Sequence, residues 1–242
     1  MSAADLTSRT RDWALWLTQQ PSVTGSEGER ILPIRLKERI DGIPALARAT
    51  PWLISVSGDP LGRSCLAVLV RGKGDETVLL TGHFDTVSTD DYGSLADLAT
   101  EPLPLRDALL ERLADAATPA ELRARADLAS GDFLPGRGLL DMKAGLAAGL
   151  AALEAFAADP QRVGNLLFVA VPDEEVNSVG ARELARSIPQ IEAEQAIRII
   201  AAINLDAIAD DGDGSSGRSI ALGSVGKLRT RRLDARGHVV EP

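Results

Sequence analysis

The sequence predicts an α/β fold in three layers, a mostly parallel sheet flanked by helices. Three observations carry that expectation. From residue 52 onward, short β-prone runs alternate with helical stretches, the order in which βαβ units are written. The runs at 165–171 (NLLFVAV) and 197–205 are almost continuously apolar, as strands covered on both faces must be. Residues 142–158 (MKAGLAAGLAALEAFAA), just ahead of the first of these runs, have a strongly helical composition.

The elements follow in order. Residues 5–20 read as a helix, with Leu6, Trp13, Trp16 and Leu17 near helical spacing and Pro21 ending it. Ser26 with Glu29 three positions on is a capping-box signal for a second helix running to about residue 40. Residues 52–56, 66–71 and 77–81 are short β-prone runs separated by Gly, Asp and Pro turns. Residues 88–137 interrupt the alternation; they are rich in Ala, Leu, Asp and Arg, and 105–128 is expected to form one or two surface helices. After the strand at 165–171 come a helix at about 178–187 and the buried strand at 197–205. The turn at 210–218 (DDGDGSSGR) is the best domain boundary, leaving 1–210 as one domain and 211–242 as a linker into another.

Composition narrows the function. With 45% apolar and 25% charged residues, the 242-residue chain has the makings of a packed, soluble core. A net charge of −9 and only 3% aromatics argue against a nucleic-acid partner, because phosphate binding needs a basic face. No apolar run approaches the ~18–20 residues of a membrane helix. Asp5, Arg9, Arg11 and Asp12 stand where a signal peptide would have its apolar stretch. Cys65 is the single cysteine, so neither an internal disulfide nor a cysteine metal site is expected, and a cytoplasmic location fits. His83 and His238 are the only histidines. Any catalysis must lean on carboxylates.

Four positions share one context, each following an apolar run or opening a helix, where the carboxyl ends of strands in an α/β sheet bind ligands. In GHFDTV, His83 and Asp85 at i and i+2 point to the same side if the strand persists. A metal-bound imidazole commonly gives its other N–H to a carboxylate; a purely structural His–Asp pair is the plainer reading. In GRGLLDMKAG, Asp141 stands at a helix start and reads either as an N-cap or as a ligand. In PDEEVNSVG, Asp173, Glu174 and Glu175 are consecutive acids after a buried strand. Buried, they need a cation, which a divalent metal supplies while giving neighbours separate jobs as ligand and proton carrier; exposed, they are an acidic turn suited to a helix dipole. Asp206 in NLDA ends the last strand.

Taken in order, GHFDTV, GRGLLDMKAG, PDEEVNSVGAR and NLDA resemble the zinc metallopeptidases of the aminoacylase, glutamate carboxypeptidase and succinyl-diaminopimelate desuccinylase type. The long insertion, DYG at 91–93 and LGSVGKL at 222–228 look most like the arginine-utilisation subgroup. The resemblance implies that His83 and Asp206 hold one zinc, Asp141 bridges two, and Glu175 holds the second. It also implies that Asp85 orients His83, Glu174 is the general base, and a cis peptide follows Asp141. Manganese or cobalt would suit the same oxygen-rich ligands. The implied substrate is a small N-acyl amino acid or peptide cleaved beside a free carboxylate, and full-length members are often homodimers.

The chain departs from that pattern. The family's second zinc takes a final histidine after an inserted lid domain, and no residue here can be equated with it. His238 in GHVVEP loosely resembles a lid histidine that stabilises the oxyanion; an unstructured tail is the other reading. The expectation is an incomplete catalytic domain, truncated at its C-terminal side and impaired in activity. Two further readings stay open. One is a degenerate, non-catalytic domain that binds a metal or small ligand. The other is a phosphate-binding domain using the Gly-rich turn at 136–138, which lacks a Gly-x-Gly-x-x-Gly or Walker pattern.

Overall fold

The computed structural model describes residues 2–207 and, beyond them, the short strands at 232–233 and 239–240. The chain divides into two units, Met1–Ala207 and Ile208–Pro242. In the second, β6 (Arg232–Leu233) pairs antiparallel with β7 (Val239–Val240). His238 lies outside the described residues.

The first unit is built on a five-stranded sheet in the order β1-β2-β4-β3-β5. Its strands are β1 (Thr50–Ser55), β2 (Ser64–Arg71), β3 (Lys73–His83), β4 (Val163–Val171) and β5 (Arg198–Asn204). β3 runs parallel to both β4 and β5, while β2 is antiparallel to β1 and β4. Four strands therefore share one direction and β2 alone is reversed. Alternation in β2 and β4 sends their apolar side chains to two separate cores. Leu66, Val68, Val70, Phe168 and Ala170 join one core with Trp13, Leu17, Leu32, Leu36, Leu146 and Leu150. Those helical residues come from α1 (Ala3–Thr18), α2 (Glu27–Asp41) and α5 (Ala144–Ala158). Cys65, Ala67, Leu69, Leu167 and Val169 face the other way, onto Leu184 and Ile191 of α6 (Val179–Gln195). The three layers expected from the sequence are present.

Two expectations change. The run at 197–205 is a strand, but it is not buried: β5 is exposed along nearly its whole length, with Ile200 and Ile203 each 50% exposed. The reason is its place at the sheet edge, paired only with β3 among the described strands. The insertion holds α3 (Pro102–Arg112) and α4 (Pro119–Ser130), as expected of surface helices. Thr118 caps α4 with a complete capping box to Glu121. At α2, Ser26 accepts from Glu29 N as the motif predicts, but the Glu29 carboxylate turns instead to Gly25 N and Arg63.

One polar contact locks α1 onto α5. Glu154 is buried, and its carboxylate accepts from Trp13 Nε1 at 2.6 Å and from Arg9 Nε and Nη2 at 3.1 and 2.8 Å. Burying a carboxylate is tolerated only with such partners. Glu154→Ala is expected to cost about 2–3 kcal/mol by leaving the buried Trp13 indole N–H without an acceptor and partly exposed Arg9 without this partner. Glu154→Gln, which can keep the indole bond, is expected to cost about 1 kcal/mol. Urea unfolding of the two variants measures the difference; equal losses would show that the charge alone, and not the indole bond, carries the contact.

Candidate metal centre

Register brings the motifs together. His83, the last residue of β3, pairs with Val171 at the end of β4, and Thr81 pairs with Asn204 at the end of β5. Leu205 N then donates to Thr81 O at 2.9 Å, and Phe84 N to Val171 O at 3.0 Å. The parallel strands thus deliver His83, the acidic turn after Val171 and Asp206 to one end of the sheet, where the crevice of an α/β fold forms.

Asp141 arrives from the entry to α5. Residues 139–143 make a wide turn rather than the start of the helix, and the Asp141–Met142 peptide is cis, as the resemblance implies. Asp141 does not cap α5, whose N-cap position is Lys143. Its side chain reaches over the crevice, and Asp141 Oδ1 lies 2.9 Å from His83 Nε2. Ligand atoms of His83, Asp141 and Asp206 all fall within 4.8 Å of one another. Glu174 Oε2 stands 3.9 Å from His83 Nε2. Glu175 lies outside the three-residue group; burial chiefly, and then the charge of Asp141, pushes its carboxyl above the usual range.

His83 is buried, with Nδ1 3.0 Å from the Asp85 backbone carbonyl and 3.5 Å from Asp85 Oδ1. Burial opposes a charge on the ring, but the Asp85 hydrogen bond and the charges of Asp85, Asp206 and Asp141 outweigh it, holding His83 at about 9. The Asp85 carboxylate has further duties: it accepts from Glu174 N at 3.0 Å, Glu175 N at 3.2 Å and Thr24 Oγ1 at 2.8 Å. It therefore orients the acidic turn as much as the imidazole.

The donor set fits a divalent cation. One imidazole nitrogen and two carboxylates within reach of a single point form the mixed nitrogen–oxygen environment that zinc, manganese or cobalt accepts. Motif reading missed the buried group behind the acidic turn, where Arg63 meets Glu29, Asp59 and Asp173. For Asp173, the compensating cation is this guanidinium. The only signal in the chain was a lone arginine between Gly62 and Ser64, immediately before an apolar strand.

A three-layer α/β unit with an imidazole–carboxylate cluster at its strand ends defines the class, an α/β domain carrying a candidate metal site. Residues 107–225 match the profile described as Peptidase family M20/M25/M40. Uncharacterized protein YqjN of Bacillus subtilis (strain 168) is 37% identical over 216 residues, covering 88% of this chain and 38% of that protein. Protein RocB of the same organism is 32% identical over 219 residues, covering 88% and 37%. Among solved structures, the M20 family metallo-carboxypeptidase Sso-CP2 from Sulfolobus solfataricus is similar with a TM-score of 0.54 at 18% identity, over 84% of this chain and 38% of that one. Over residues 107–225 the chain is similar to peptidase family M20/M25/M40, and it spans less than two fifths of the length of these curated relatives.

Proposed function

We propose that the chain forms part of a metal-dependent hydrolase that cleaves an amide bond beside a free carboxylate. The observation that carries this is the convergence of His83, Asp141 and Asp206, far apart in sequence, on one point at the strand ends. In this reading His83, Asp141 and Asp206 would hold one zinc, and Asp141 and Glu175 would hold a second. When bound, such a pair lowers the pKa of water and polarises a carbonyl. Glu174 is the general base: its half-buried carboxylate, aimed by the Glu174 N–H bond to Asp85, takes a proton from water and passes it to the leaving amine. Asp85 keeps the His83 ring in register and the acidic turn in place. The Asp85–Glu174–Glu175 arrangement makes proton transfer and metal binding jobs of adjacent residues.

Glu174→Gln is expected to remove whatever hydrolysis of N-acyl amino acids or small peptides the protein shows, while bound metal stays at the wild-type level. Metal analysis alongside turnover checks it, and parallel loss of metal and activity refutes the role given to Glu174.

A second reading has one observation in its favour: the close group contains three ligands and leaves Glu175 out. It is a module binding a single metal, with little or no turnover. A stoichiometry of one tightly held zinc per chain supports that reading, and two support the hydrolase centre.

A further inference from the structure

The buried ion cluster next to the acidic turn belongs to no assigned role. Arg63 lies between β1 and β2, 6% exposed, and Nη1 donates to both Glu29 carboxylate oxygens at 3.2 Å and to Asp173 Oδ1 at 2.7 Å. Its Nε and Nη2 grip Asp59 at 3.1 and 2.8 Å. A guanidinium surrounded by three carboxylates from separate parts of the chain is a fixed point, because its planar fork dictates where each partner stands.

From that point two arms run to the same place. The first is short. Asp173 is the residue immediately before Glu174 and Glu175; its backbone is left-handed, with φ of 67°, and its other carboxylate oxygen accepts from Val179 N at 3.2 Å. Its carbonyl accepts from Asn177 and Ser178 N–H groups, closing the turn. The second arm passes through Glu29, which accepts from Gly25 N at 2.6 Å. Its neighbour Thr24 donates to Asp85, and Asp85 accepts the Glu174 and Glu175 N–H groups. The turn carrying both glutamates is thus held at its start by Arg63 through Asp173, and over its amides by Arg63 through Glu29 and Asp85.

We infer that Arg63 is a positioning residue for the metal centre, setting where the Glu174 and Glu175 carboxylates stand relative to His83 and Asp141. The inference rests on the metal site proposed above. An αL backbone at a non-glycine residue persists only where its surroundings enforce it, and here the enforcing contacts are the Arg63 and Val179 bonds to the Asp173 side chain. Loss of the guanidinium frees the turn to relax, so Glu175 no longer addresses the cation and Glu174 no longer faces His83.

Cobalt(II) titration of the 242-residue chain, followed by its visible absorption band, tests this without relying on turnover. Arg63→Met is expected to weaken cobalt binding about tenfold or more, as removal of a supporting residue does, and to move the band as Glu175→Gln moves it. Arg63→Lys, which keeps the charge but loses the fork, falls between. Should Arg63→Met yield no folded protein, Asp173→Asn carries the same expectation, since it keeps the size of the side chain and drops the charged acceptor that ties the turn to Arg63. A lowered melting temperature with wild-type affinity and band in these variants overturns the inference and leaves Arg63 a residue of stability alone. Wild-type protein that binds cobalt no better than His83→Ala overturns the metal site itself, a distinct outcome.

Discussion

His83→Ala is expected to lower zinc or cobalt affinity by more than roughly 100-fold, beyond what loss of a supporting residue costs. The imidazole is the only nitrogen ligand in the three-residue group, and the two carboxylates left behind would hold like charges close together without it. Isothermal titration on folded protein measures the loss. The same site predicts a pH dependence. In the metal-free chain His83 is held at about 9, against an ordinary 6.5, because Asp85 and the neighbouring acids outweigh the burial that opposes its charge. A cation must therefore displace a proton, and its apparent affinity rises about tenfold per pH unit until pH approaches that value, then levels. Stability of the metal-free chain runs the other way. The folded value is raised above the unfolded one, so the stabilisation from charged His83 is full below 6.5 and is lost as pH rises through about 9. Metal affinity that ignores pH between neutral and 9 would sink the assignment of His83 as a ligand.

Gly145→Ala is expected to damage fold and site together. A Cβ at Gly145 would lie 2.0 Å from the Leu205 carbonyl oxygen and 3.3 Å from Leu205 Cβ. Leu205 cannot step aside freely, since its N–H is tied to Thr81 O at 2.9 Å. Either the start of α5 or the end of β5 must shift, and those segments carry Asp141 and Asp206. Overpacking of this kind costs roughly 1–3 kcal/mol, and metal affinity should fall about tenfold, like that of a site whose supporting residues are removed. Ala148→Gly, on the exposed face of the same helix, supplies the comparison: it loses about 1 kcal/mol of helix propensity and leaves metal affinity alone. Thermal melts and titrations of the pair separate the effects. Wild-type metal affinity in Gly145→Ala would show that the close approach of helix and strand does not govern the site.

Much of this molecule is readable from its residues in order. Alternation in β2 and β4 and helical spacing in α1 reveal which faces are apolar, because a pleat repeats every two residues and a helix every 3.6. Motif order locates His83, Asp141, the acidic turn and Asp206 at strand ends and a helix entry, and the fold does gather the imidazole with two of the carboxylates. What a one-dimensional pattern cannot carry is who stands beside whom. The apolar run of β5 predicts a strand yet says nothing of its lying at an edge, a matter of strand order. Glu29 reads as a capping residue until Arg63, 34 positions away, claims its carboxylate. Asp141 reads as a helix cap until the turn at 139–143 swings it over His83. Local periodicity records the solvent each side chain prefers; the partners of a buried charge are chosen by register and crossover, and only the folded chain contains those.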